Sequence, residues 1–111
     1  MTLLIAKLHK LGERRSTPGR LLDKDAHDVY RLLVATETDA LASTLAELQG
    51  SELAGSVTKE AIGYLEQLFA PGPAALGAMM AGRAEELLGS PRVVSAAVAT
   101  LAADLVAALP S

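Results

Sequence analysis

At 111 residues with a formal net charge of −3, the chain is long enough for one domain with a real core and too short for two. Half of it is hydrophobic, but aromatic bulk is limited to one Phe and two Tyr, so the apolar content is mostly Ala and Leu, which favour helices over strands. There is no cysteine, which excludes disulfides and thiolate-held metals and suits a reducing, cytoplasmic setting. The charge is unevenly spread: residues 1–31 carry seven Lys/Arg against four Asp/Glu, and residues 32–111 carry three against nine. An anion would therefore meet the leading segment, although cations so interleaved with acids argue against nucleic acid.

The periodicity predicts a first helix over about residues 3–14, with Leu4, Leu8 and Leu11 facing a core. "RRSTPGR" breaks it, because Pro18-Gly19 cannot continue a helix. A second helix is expected from Asp23, as its N-cap, to about Ala35, with Leu22, Ala26, Val29 and Leu33 as its apolar stripe. Thr36 and Asp39 have the spacing of a capping box for a third helix ending near Leu48, before Gly50. "SELAGS" reads either as a turn or as the start of a fourth helix, which is clear over about 57–69. "APGP" breaks the chain again. Pro73 is then expected to open a fifth helix running to Leu88, with Gly89 ending it. Ser90 is expected to cap a sixth helix, with Pro91 in its opening turn.

Six helices on short connections predict an all-α fold, a compact bundle forming a single domain over 1–111. Residues 1–35 form a helical hairpin, and residues 36–111 supply the other helices. "MTLLIAKLHK" is too short an apolar run for a signal peptide. The last helix falls short of the roughly 20 residues a membrane span needs and contains Asp104, so it reads as soluble and buried rather than membrane-bound. Being apolar on most faces, it belongs either at the centre of the fold or in a subunit interface.

Charged chemistry concentrates in the hairpin. Lys7, Lys10 and Arg14 recur at i, i+3 and i+7 as a basic stripe, a candidate anion site. Asp25 and Asp28 emerge from one face of the second helix, and antiparallel packing would bring them toward that stripe. The plain reading of these acids is structural: Lys24–Asp28 and Asp28–Arg31 have the spacing of ordinary surface pairs. His9 and His27 supply no recognisable set of metal ligands by spacing. No phosphate-binding glycine loop and no nucleophile elbow occurs.

"LLIAKLHKLGER" at 3–14, then a short turn, then "DKDAHDVYRLL" at 23–33 resembles the C-terminal portion of the nucleotidyltransferase-like toxins of the abortive-infection type. There a K-L-x-x-L-x-x-R helix precedes a K/R-D-x-x-D-L/V-Y-x-L helix, and the likeness covers about residues 3–34. It implies nucleotide transfer from a nucleoside triphosphate, with magnesium held by acids on a separate sheet domain. It also implies that Lys7 contacts triphosphate oxygens and that Asp25 or Asp28, with Asp25 favoured, is the late acidic residue. The family's first two motifs, a Gly-Ser turn followed by an Asp-x-Asp on a strand, do not occur in that order in this sequence. The expectation is a helical domain that is not a competent enzyme alone, with no cofactor of its own. Magnesium and triphosphate would enter only with a separate catalytic domain. Partners are then such a catalytic chain, an antitoxin chain, or a second copy. For a homodimer the expected interface is the stripe Val94, Val98, Leu101 and Leu105. The alternative function is a small helical module that acts by self-association, without nucleotide chemistry.

Overall fold

A computed structural model describes residues 1–85 and 89–110. Among them the chain forms six helices and no strand: α1 (Thr2–Arg14), α2 (Arg20–Ala35), α3 (Thr38–Gln49), α4 (Gly55–Leu68), α5 (Leu76–Ala84) and α6 (Pro91–Ala108). This is the all-α bundle the composition predicts.

The leucine stripes do the work that their spacing requires. Leu4, Leu8 and Leu11 of α1 are buried, as are Leu22, Ala26, Val29 and Leu33 of α2. Each large side chain so removed from water contributes about 1.5–3 kcal/mol. α2 packs against both α1 and α5, α1 against α4, and α6 against α5, α3, α2 and α4. Phe69, at the end of α4, lies fully buried with Leu65, Met80, Val98 and Leu105.

α6 resolves its two expected places in favour of the centre. Val94, Val98 and Leu105 are buried within the chain's own core, and Leu101 is half-buried against it. Val94, Val98 and Leu105 of the stripe read from the sequence are therefore covered by neighbouring helices of the same chain, and only Leu101 keeps partial exposure. The opposite side of α6, with Arg92, Val93, Ala96 and Asp104, faces water. By length and composition α6 alone is long and apolar enough to cross a membrane among the described residues. Its buried stripe, however, is part of the bundle core.

Helix starts differ from expectation where local turns compete. α2 begins at Arg20 on an extended Gly19, so Asp23 falls in its opening turn rather than at its cap. Thr36 is the extended residue that ends α2, so the capping box does not form, and α3 starts at Thr38 after Glu37. Pro73 does not open α5. It occupies the second position of a tight turn closed by Ala75 N donating to Gly72 O at 3.0 Å, where its fixed φ is well suited. Gly72 enters that turn at φ +148°, a conformation that disfavours other residues. The "SELAGS" ambiguity resolves as a turn, with α4 starting at Gly55. Residues 86–88, expected in the fifth helix, lie outside the described residues. Ser90 caps α6 as expected, accepting from Val93 N at 3.4 Å with Pro91 at the helix start.

Small residues set how closely helices approach. A Cβ added to Gly82 would collide with Ser95 Oγ and lie 2.8 Å from the Pro91 carbonyl oxygen. Backbone cannot yield as a flexible side chain can, so α5 and α6 would have to separate. Gly82→Ala is expected to destabilise the fold by about 1–3 kcal/mol through overpacking. Thermal and urea unfolding monitored by circular dichroism would measure this, and an unchanged midpoint would contradict it.

Candidate functional site

The charged residues singled out in the sequence converge between α1 and α2. Asp25 emerges from the apolar side of α2 and is 4% exposed, so its carboxylate must be met by cations in place of water. Lys7 reaches across from α1 and donates to Asp25 Oδ1 at 2.7 Å, with Asp28 Oδ2 at 3.0 Å from the same ammonium. Lys10, one turn further along α1, places its ammonium 2.9 Å from Asp25 Oδ2, close enough for charge but not aligned as a hydrogen bond. As numbering rises along α1, its partners on α2 fall, which is the antiparallel packing expected of the hairpin.

The intrahelical pairs read from spacing do not form among the described residues. Asp28 turns to Lys7 rather than to Lys24 or Arg31. Lys7, already fixed by the buried Asp25, is held within reach of Asp28, which outweighs a surface pair of a few tenths of a kcal/mol. Arg14, the last member of the basic stripe, is exposed and joins no ion pair among the described residues. The stripe is therefore divided, with two of its three cations committed to α2.

Electrostatics follow the geometry. Burial pushes the Asp25 carboxyl up, but contacts with Lys7 and then Lys10 more than reverse this and hold it below the usual carboxylate value. Hydrogen bonds to Asp25 and then Asp28 hold Lys7 above the usual lysine value, against the opposing effect of burial. Magnesium demands a near-octahedral shell of oxygens. With one Asp25 oxygen facing Lys7 and the other facing Lys10, this pair of aspartates does not suit a divalent cation. Among the described residues, no three of His, Cys, Asp and Glu gather as a metal site.

Two further pairs bind α2 to the end of α5. Arg83 grips Asp23 through Nε at 3.2 Å and Nη2 at 3.0 Å, and His27 Nε2 lies 2.7 Å from Glu85 Oε2. Spacing could not have suggested these pairs, since some sixty residues of sequence separate the partners. His9 serves structure, its Nε2 2.9 Å from the Val57 carbonyl and its ring edge-on to Tyr64.

No protein-family model, no curated protein and no solved structure matches this chain. What the site does must therefore be argued from its own chemistry.

The shifts give stability a pH dependence of known sign. Asp25 has a depressed folded pKa, so its contribution is present above the ordinary carboxylate range and lost as pH falls through its folded value. Lys7 has a raised one, so its contribution is complete below the ordinary lysine range and lost as pH rises through its folded value. Asp25→Asn is expected to cost about 2–3 kcal/mol at neutral pH and to flatten the acid limb of the stability profile. Urea denaturation across pH would measure both effects. An acid limb unchanged by the substitution would place the titrating group elsewhere.

Proposed function

We propose that this chain is a helical support domain, like the C-terminal part of the nucleotidyltransferase-like toxins its hairpin resembles, and that it transfers no nucleotide by itself. One observation supports the reading above others. Lys7, Asp25 and Asp28, the residues the resemblance would assign to triphosphate and acid roles, spend their charges on one another. A lysine that binds triphosphate acts as a free point charge. Here it is a strut between two aspartates, with Lys10 closing the remaining side.

Displacing Lys7 toward a phosphate would leave Asp25 buried with half its compensation. Removing one partner of a buried pair costs several kcal/mol, so the phosphate would have to replace more than it gains. The cluster serves instead to fix the hairpin, on which the other helices assemble. A separate catalytic chain, if one is joined, would supply the metal and the nucleotide, and this domain its stable helical face.

Two outcomes are expected. With magnesium and each of the four nucleoside triphosphates, the chain incorporates no labelled nucleotide into RNA or protein. Titration with ATP gives at most weak amide shifts around Arg14 that vanish near physiological salt, where the Debye length is about 8 Å. Incorporation that is lost on Asp25→Ala would overturn the reading, as would saturable triphosphate binding at Lys7 that survives this ionic strength.

A further inference from the structure

Away from the ion-pair cluster, α5 and α6 frame a groove of about 560 Å³. Its floor is made of small groups: Gly82, which a Cβ would drive into Ser95, and Ser95, whose hydroxyl donates to the Ala78 carbonyl at 2.8 Å. Its walls are Pro73, Met79, Pro91 and Ala96. Met79 is 45% exposed, and Val93, beside the groove in sequence, is 63% exposed. Together they leave an open apolar strip at the groove's edge.

The charge beside it is unlike the charge around it. Residues 32–111 carry nine acids and only three cations, and two of those cations, Arg83 and Arg92, line this groove. Asp23 already engages Arg83 in a two-pronged bond. Arg92 is exposed and forms no ion pair among the described residues.

We propose that this groove docks an amphipathic helix of a partner protein, its apolar stripe on Met79 and Ala96 and a Glu or Asp on its flank facing Arg92. A helix laid in a groove presents apolar residues at i, i+4 and i+7 on one side and its flanking charges to the rim. A small ligand fits less well, because sites for small molecules bury most of the ligand, and here Pro73, Ala74, Met79 and Ala96 are themselves exposed. A second copy fits less well too. A two-fold dimer through this face would bring a second Arg92 to the rim in place of the carboxylate that an acidic flank supplies.

The probe is a synthetic, end-capped amphipathic peptide of roughly 15 residues, long enough to form helix, with leucines at i, i+4 and i+7 and glutamates on the flank. Its twin carries lysines in place of the glutamates. Titration into the full chain, followed by amide NMR, is expected to give saturable shifts confined to α5, α6 and the 72–75 turn. The lysine twin, and the charge reversal Arg92→Glu tested with the acidic peptide, are each expected to bind at least about tenfold more weakly. Arg92→Glu should in turn recover binding of the lysine twin, while Arg14→Glu, on a different face, leaves the acidic peptide unaffected. Arg92 is solvent-exposed, so the variant retains the fold, and circular dichroism checks this. Equal binding of both peptides, shifts on α1 to α3, or no saturable binding would overturn the proposal. So would a dimer in place of the 11.5 kDa chain by light scattering, if its amide shifts on dilution map to this groove.

Discussion

A carboxylate with almost no access to water sits at the seam of two helices, and the arrangement of the hairpin follows from it. Asp25 occupies a position on α2 flanked by the buried Leu22, Ala26 and Val29. An ionised group there is tolerable only if cations replace its hydration. Lys7 and Lys10 do so because one turn of α1 separates them, and one turn is the distance needed to reach both oxygens. Sliding α1 by a turn one way along α2 would put Leu3 or Leu4 in the place of Lys7 and leave Asp25 with one cation, whereas the other way would offer Lys10 and Arg14 in place of Lys7 and Lys10. The apolar stripes alone would tolerate such a slip far better, since leucine packs against leucine in many registers. The charge cluster therefore narrows the registers that the hydrophobic effect would accept to those that set cations opposite Asp25.

From α2 the same logic passes to α5, through softer contacts. The Asp23–Arg83 and His27–Glu85 pairs lie at the rim rather than the seam, where solvent screening reduces their worth. They orient the end of α5, but its depth in the bundle comes from glycine. A Cβ on Gly77 would meet the Phe69 ring at 2.7 Å and the Leu68 carbonyl at 2.8 Å, so α5 packs close to the end of α4 only without one. Gly12 makes the matching concession on α1, where the Tyr64 ring occupies the space of a side chain. A chain with three aromatic residues cannot fill a core with bulk, so its helices must come close instead.

The parts legible in the sequence are those set by local period. Leu4, Leu8 and Leu11 recur on one helical face, and no competing signal disturbs them, so the core side of α1 could be read directly. The Ser90–Pro91 start of α6 was equally plain, because cap and proline agree. Thr36 and Asp39 misled for a physical reason: the spacing of a capping box is necessary for one, but the helix must also begin at the threonine, and here α2 runs on to Ala35. Pro73 misled likewise, since a proline that suits the opening turn of a helix also suits the second position of a tight turn. Gly72, with its positive φ, decided between them. The nearness of the basic stripe to Asp25 and Asp28 could be read from antiparallel packing. Which cation meets which acid could not, because that depends on helix depth to a fraction of a turn. The pairs to α5 were out of reach for the same reason, compounded by distance along the chain.

The buried α6 stripe shows how far composition can go and where it stops. A helix apolar on most sides has more hydrophobic surface than one neighbour can cover, and the sequence alone permits either a crowded interior or a subunit contact. In the fold, α6 touches four other helices and spends Val94, Val98 and Leu105 on them. What remains outside is alanine and polar residues, apart from Val93, so most of its outward face asks little of a partner. Alanine buries too little area for its exposure to drive association by itself. The exception is the end of α6 nearest α5, where Val93, Pro91 and Met79 stand beside Arg92. Apolar area and unspent charge coincide only partly on this chain, and a specific contact needs both, one to hold the partner and the other to choose it. The interior charges of the hairpin meet neither need, since their partners already lie within the fold.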